Sequence, residues 1–257
     1  MMTMISQTVS DIFVMTRRDV LKYFRSPQLL FFNAMFNIVM LLLFNYVFGG
    51  AIQSSGVNYI QYFLPGYLAQ TVVFGSTQTS VAIAEDLSKG LIDRFRSLPM
   101  ARSAFLTGRV FSDAVRYLVM LIVILVVGVA AGFRFQNGIL PAMAAFVLIL
   151  FFGMALTWVA VFIGVSVKDV ETAQTAGFVW VFPLVFASSS YVPIQTMPGW
   201  LQAFAKINPF TSLVDTVRAL MLGGDVHSSL WKILAWGAGI FILFLFLAIR
   251  RYRLLTV

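Results

Sequence analysis

The stretch "LLFFNAMFNIVMLLLFNYVF", residues 29–48, decides the fold. It carries no charge, and about 20 mostly apolar residues are what a helix needs to cross the hydrocarbon of a bilayer. The rest of the chain agrees. Its 257 residues are 60% hydrophobic and 11% charged, whereas a soluble domain carries about a quarter charged residues. Mean hydropathy is +0.90. The expectation is an all-α integral membrane protein, one transmembrane domain over residues 1–257.

Downstream of the first run, five more are expected to span: residues 62–84, 117–133, 140–167, 175–192 and 231–249. Upstream, residues 8–26 place Asp11, Arg18, Lys22 and Arg25 on one helical face and Val9, Phe13, Val20 and Phe24 opposite. That pattern predicts an amphipathic helix lying in the interface, ended by Pro27. No cleavable signal peptide is expected, because the basic N-terminal segment lacks an apolar core ending in a small-residue site.

Basic residues orient the spans. The segment before the first span holds Arg17, Arg18, Lys22 and Arg25. The second-to-third connection holds Lys89, Arg94, Arg96, Arg102, Arg109 and Arg116. Lys168 and the tail residues Arg250, Arg251 and Arg253 complete fourteen of the eighteen lysines and arginines. Only Arg134, Lys206, Arg218 and Lys232 fall on the other side. The positive side is cytoplasmic, so both termini are expected inside a prokaryotic plasma (inner) membrane. The net charge of +8 is then read as loops facing anionic lipid heads. Lipid is the expected partner, and nucleic acid is not.

Several chemistries lack their residues. There is no cysteine and one histidine, His227, so no cysteine-ligated or multi-histidine metal site is expected. No G-x-x-x-x-G-K-[ST] loop occurs, so the chain is not expected to hydrolyse ATP, and no catalytic residue or bound cofactor is assigned. No ionisable residue is placed mid-span, which counts against a proton-coupled carrier or a channel.

Uncharged polar residues do lie within the spans. Asn33 and Asn37 share a face of the first, Gln70, Thr77 and Gln78 belong to the crowded second, and Ser188 begins a serine triplet closing the fifth. Helix–helix hydrogen bonding accounts for them; so does a substrate pathway lined by spans one, two and five. Between the fifth and sixth spans, residues 193–224 read as two short helices broken at Asn208–Pro209. Ser212 is the expected cap of the second and Gly223 its C-terminal turn. Backbone at membrane depth outside a span must be buried in protein or line a wet cavity, so a re-entrant hairpin is expected.

One polar island interrupts the chain: "EDLSKGLIDRFRSLPMAR", residues 85–102. Lys89–Gly90 ends the second span's helix. Leu91, Phe95 and Leu98 then recur at helical spacing, flanked by Arg94 and Arg96, up to Pro99. Residues 88–98 are expected to form a short amphipathic cytoplasmic helix, resting on lipid heads or docking into a partner's groove. Ser103 is the expected cap of the next helix, where Arg109, Asp113 and Arg116 have the spacing of surface ion pairs.

The stretch "GLIDRFRSLPMAR" with Gly108–Arg109 and Asp113, "FLPGYLAQ" at residues 63–70, and "PGWLQAFAKINPFTSLVDTVRALMLGG" at 198–224 together resemble type-2 ABC transporter permeases of the daunorubicin-resistance kind. The resemblance implies the type-2 ABC exporter fold. It implies six transmembrane helices per chain, an N-terminal interfacial helix, a cytoplasmic coupling helix and an extracellular re-entrant hairpin. It also implies dimerisation with a second permease copy or paralogue, and two ABC ATPase subunits that hold ATP and Mg. Contacts to those ATPases would come from Ser88, Lys89, Gly90, Leu91, Asp93, Arg94, Phe95 and Arg96, with a smaller contact from Lys168, Asp169 and Glu171. Residues 103–116 would link the ATPase to the gate. The hairpin, with Asn208, Pro209, Phe210 and Arg218, would close the outer end. The expected function is export of a drug-like or amphipathic lipid substrate; export of a polysaccharide or glycolipid is the alternative, and a secondary transporter or channel subunit ranks below both.

Overall fold

The computed structural model describes residues 2–52, 58–90 and 102–255. Among these, every regular element is helical: α1 (Met2–Phe24), α2 (Pro27–Ile52), α3 (Tyr59–Ser88), α4 (Arg102–Ala130), α5 (Ile139–Ser166), α6 (Val170–Phe186), a 3-10 turn (Ile194–Thr196), α7 (Gly199–Ile207), α8 (Pro209–Leu222) and α9 (His227–Leu255).

Four helices contain windows long and apolar enough to cross a membrane: Leu30–Val47, Ala104–Ala130, Ile139–Ser166 and Ser229–Leu254. Helix α6 is apolar but shorter, at 17 residues. Helix α3 has 30 residues, a length of about 45 Å, and sits at the centre against α2, α4, α5, α6 and α8. Its hydroxyls turn back on its own backbone. Thr71 donates to the Tyr67 carbonyl, Ser76 to Val73, Thr77 to Phe74 and Ser80 to Thr77. Local bonds of this kind let hydroxyls be buried within a helix; Ser80 also reaches the Ala173 carbonyl of α6 at 3.2 Å.

Close approach of α3 and α5 depends on Gly153, where a Cβ would lie 2.1 Å from Val72 Cγ1. The main core gathers Phe63, Leu68, Phe152, Phe210 and Ile233. A second joins Ile83, Leu106, Trp158 and Tyr252, where α3, α4, α5 and α9 meet. Helix α2 stands apart: its apolar window is 6% buried, against 56% for that of α5. Many of its large side chains, Phe31, Val39 and Tyr46 among them, are therefore exposed.

Several helices run past the expected segments. Pro27 opens α2 instead of merely ending α1, because a first-turn position needs no backbone N–H. Residues 103–130 form one helix, not a polar link followed by a separate span, since nothing between them breaks the hydrogen-bond ladder. That helix ends at Ala130, ahead of Gly132 with φ of +108°. Helix α6 starts early, capped by Asp169, and stops at Phe186. Helix α8 starts at Pro209 with Asn208 as its cap. Ser212 is therefore not the cap; it lies inside the helix, where its carbonyl accepts from the Thr216 hydroxyl. Ser103 likewise falls within the first turn of α4.

Candidate functional site: an aromatic cavity between two polar knots

Helices α2, α3, α4 and α6 line an open-sided cavity of about 670 Å3. Helix α2 supplies Phe32, Asn33, Phe36, Asn37, Met40 and Phe44, four-residue spacings that keep one face turned inward. Helix α3 supplies Tyr67, Gln70, Thr71, Phe74, Thr77 and Gln78. Arg116, Tyr117 and Met120 of α4 close one end. The opposite wall is a ladder of rings. Phe178, Phe182 and Phe186 recur every four residues on α6, and Tyr191 continues the series. Phe182 stacks on Phe186 with centroids 5.2 Å apart, and Phe186 on Tyr191 at the same distance.

The polar residues of the cavity are only partly self-satisfied. Asn37 Nδ2 donates to the Asn33 carbonyl at 2.9 Å and to its Oδ1 at 3.1 Å. The Tyr67 hydroxyl donates to the Asn37 carbonyl at 2.8 Å. Gln70 Oε1 is buried without a hydrogen-bond partner. Five of the six residues expected along a pathway thus share one cavity: Asn33, Asn37, Gln70, Thr77 and Gln78. Ser188 does not line it. It is fully buried and donates to the Val185 carbonyl.

Beyond the Arg116 end lies a buried charge cluster. Arg116 Nη2 is 2.9 Å from Asp113 Oδ1 and donates to the Gly75 carbonyl at 2.8 Å. Thr79 donates to Asp113 Oδ2 at 2.7 Å. Arg109 approaches Asp113 at 3.7 Å and Asp19 of α1 at 3.8 Å, and Arg18 pairs with Asp19 at 2.7 Å. Asp19, Arg109, Asp113 and Arg116 are all buried. The spacing of Arg109, Asp113 and Arg116 suggested surface ion pairs, and the structure corrects this. Helix α1 covers them, and at Gly108 a Cβ would come within 2.6 Å of Met15 Cβ. Asp19, absent from the sequence reading, completes the cluster. Nor is the helical interior free of ionisable groups, since Arg116 reaches Gly75 near the middle of α3.

A second knot ties the far end. Arg218 of α8 donates from Nε to the Tyr62 carbonyl at 3.1 Å, from Nη2 to the Ser189 carbonyl at 2.8 Å, and from Nη1 to Asp215 at 3.0 Å. Its guanidinium carbon lies 3.9 Å from the centre of the Tyr62 ring. Asn208 joins two helix ends. Its amide donates to the carbonyls of Leu184 and Ala187, and its Oδ1 accepts from Phe210 N. Pro209 occupies the first turn of α8, and Phe210 is buried.

The ABC-2 type transporter family profile matches residues 10–222. The chain belongs to the ABC-2 type transporter family. It is 32% identical over 251 residues, 98% of this chain and 87% of the relative, to a daunorubicin resistance ABC transporter permease protein of Streptomyces coeruleorubidus. A probable doxorubicin resistance ABC transporter permease protein of Mycobacterium tuberculosis is 32% identical over 174 residues, 65% of this chain and 60% of the relative. A probable multidrug ABC transporter permease of Escherichia coli is 22% identical over 184 residues, 69% of this chain and 49% of the relative. With its apolar helices, this ABC-2 permease is a multi-pass membrane protein.

Of the permease residues expected to meet an ATPase, Leu91, Asp93, Arg94, Phe95 and Arg96 lie outside the described residues. Ser88 caps back onto the Glu85 carbonyl, Lys89 pairs with Glu85, and Gly90 has φ of +66°. That ion pair holds the Glu85 carboxyl below the usual carboxylate range. Lys168, Asp169 and Glu171 form an exposed step between α5 and α6. Asp169 accepts from Thr172 N at 2.7 Å and from its hydroxyl at 2.8 Å, which lowers the Asp169 pKa. Among the described residues no group of three or more His, Asp or Glu is placed to hold a metal. Sequence reasoning missed the α6 ring ladder, although its spacing of four was visible in residues 178, 182 and 186.

Proposed function

We propose that this permease is the membrane-spanning subunit of an ATP-driven exporter that moves a drug-like or amphipathic lipid substrate out of the cell. The cavity carries the proposal. It combines a ring-lined wall with amide groups, and its volume of about 670 Å3 falls in the usual range for small-molecule sites. The three relatives are named for daunorubicin resistance, doxorubicin resistance and multidrug transport, which supports the same substrate class. Energy comes from two separate ABC ATPase subunits binding ATP and Mg; their two states differ in how they hold the permease, and that difference moves the spans. The chain itself binds no cofactor.

In this reading six spans cross the plasma membrane with both termini inside. Helices α3 and α6 are the two spans that apolarity alone does not single out. A second permease copy faces α2 and α6, whose exposed rings need covering. Residues 88–98 and 168–171 meet the ATPases, and the α7–α8 hairpin, held by Asn208 and Arg218, closes the outer end. The ring ladder of α6 also suits a glycan, since sugar faces pack on aromatic rings, so polysaccharide or glycolipid export is the second reading.

The test is reconstitution of the permease with its ATPase in vesicles. Asp93→Ala or Arg94→Ala is expected to abolish substrate-stimulated ATP hydrolysis while membrane insertion persists. Unchanged stimulation in both variants refutes the assigned contact, and absence of a stable complex with any ABC ATPase refutes the reading as a whole.

A further inference from the structure

We propose that Tyr191 is the plug that closes the outer end of the cavity, and that it swings aside to let a substrate pass. The inference rests on the exporter reading for which end is the outer one. Its physical basis is where the lining stops. On α2 the lining ends at Phe44, on α3 at Tyr67 and on α6 at Phe186. Past those residues rings fill the space. Phe44, Phe63 and Tyr191 form a triangle: the centroids of Phe44 and Phe63 are 5.5 Å apart, those of Phe44 and Tyr191 5.2 Å, and those of Phe63 and Tyr191 5.7 Å. Rings at such separations are in contact, so the triangle closes the gap between α2, α3 and the segment that follows α6. Behind it Tyr59 stacks on Phe63 at 5.3 Å, and both are buried.

One corner of the triangle is built to move. Phe63 is fully buried in the main core, and Phe44 belongs to the unbroken helix α2. Tyr191 belongs to no helix; it lies between the end of α6 and the 3-10 turn. The residues just before it are pinned. Ser188 donates to the Val185 carbonyl, and the Ser189 carbonyl accepts from Arg218 and from the Tyr62 hydroxyl. Ser190 lies so close to α3 that a Cβ on Gly66 would come within 3.0 Å of its Cα. The two residues after Tyr191, Val192 and Pro193, are exposed. Tyr191 is thus the first residue past a fixed anchor, and hinges are placed at such element-terminal positions. Its ring rests on Phe44 of α2, Phe63 of α3 and Phe186 of α6. Tyr191 also lines the cavity, so an occupant touches the plug directly.

The chain contains no cysteine, so one introduced thiol reports the seal without background. Met40→Cys places it on the cavity wall, one helical turn inside Phe44. The full-length permease, in right-side-out membrane vesicles, is labelled from outside with a charged, membrane-impermeant methanethiosulfonate. Gln195→Cys, at an exposed position of the hairpin segment, is the reference for free access. Met40→Cys alone is expected to react slowly. Adding Tyr191→Ala is expected to speed labelling about tenfold or more, the scale set by loss of its aromatic pairs. Phe44→Ala removes a second corner of the triangle and is expected to do the same. Tyr191→Phe keeps the ring and is expected to stay slow. Phe182→Ala takes a ring from the same ladder below the plug and is expected to leave the rate unchanged, which separates opening from general loosening. Fast labelling with Tyr191 intact overturns the proposal, as does an unchanged rate in both Tyr191→Ala and Phe44→Ala, or equal acceleration by Phe182→Ala or Tyr191→Phe. The exporter reading fails separately, if Gln195→Cys is protected from outside and reacts from within, or if no ABC ATPase assembles with the permease.

Discussion

Two arginine knots hold the ends of the cavity, and they are built differently. Arg218 at the hairpin end has all three of its nitrogens engaged, mostly by backbone carbonyls that cannot change charge or swing away. At the α1 end the partners are side chains on three helices. Arg109 sits 3.7 and 3.8 Å from its carboxylates, beyond hydrogen-bond reach, and neither its Nε nor that of Arg116 has a hydrogen-bond partner. A fully satisfied buried charge fixes a geometry, whereas a partly satisfied one keeps capacity for a ligand or a second arrangement. The hairpin end is thus built as a staple and the α1 end as a joint.

The comparison breaks most sharply at Asp113. Removing it leaves Arg109 and Arg116 buried without their shared carboxylate, and loss of one partner from a buried pair costs about 3–5 kcal/mol. Asp113→Ala is expected to lower the unfolding temperature of the purified permease by more than any substitution at the hairpin end. A melting curve in detergent that matches the unaltered protein would mean that the cluster is solvated and not a buried joint.

Arg218→Ala is expected to cost less, about 2–3 kcal/mol, because Asp215 is part-exposed and the freed carbonyls lose hydrogen bonds without stranding a charge. Arg218→Lys is expected to recover little of this, since an ammonium lacks the planar fork that spans Tyr62, Ser189 and Asp215. Thermal unfolding reads both variants. Full recovery by lysine would show that charge, not the fork, holds the staple.

Much of this was legible beforehand, for reasons that particular residues make plain. Residues 29–48 announced a membrane helix because lipid demands a continuous apolar run. Asn33 and Asn37 predicted an inward polar face because a helix repeats every 3.6 residues, and Gln70, Thr77 and Gln78 join them in one cavity. Charges paired across helices were not legible. Asp19 and Arg109 are distant in sequence, and only the packing of Met15 against Gly108 buries them together. The capping role of Asn208 was hidden for a similar reason. Its amide serves the end of α6, more than twenty residues upstream, and no local pattern records that debt of unpaired carbonyls.

Asn208→Ala sharpens the staple by a smaller step. It removes the cap from α8 and leaves the Leu184 and Ala187 carbonyls without their donor, a loss of about 1–2 kcal/mol for a capping residue. The expected signature is local: faster amide exchange at the first turn of α8 and the last turn of α6, with the α1 end unchanged. Exchange that rises equally at both ends would dissolve the distinction between staple and joint.

The smallest effect is expected at Asp169, an exposed carboxylate that also caps a helix. Its pKa is held below the usual range by the Thr172 N–H and hydroxyl. A depressed pKa means that the folded state favours the ionised form. The contribution is therefore complete above the unfolded value of about 3.9 and disappears as pH falls through the lower folded value. Near neutral pH no change is expected, and Asp169→Asn, which keeps a capping oxygen, is expected to leave α6 intact. Below pH of about 4, amide exchange in the first turn of α6 is expected to rise in the unaltered protein and to stay level in Asp169→Asn. A parallel rise in both would assign the acid sensitivity elsewhere.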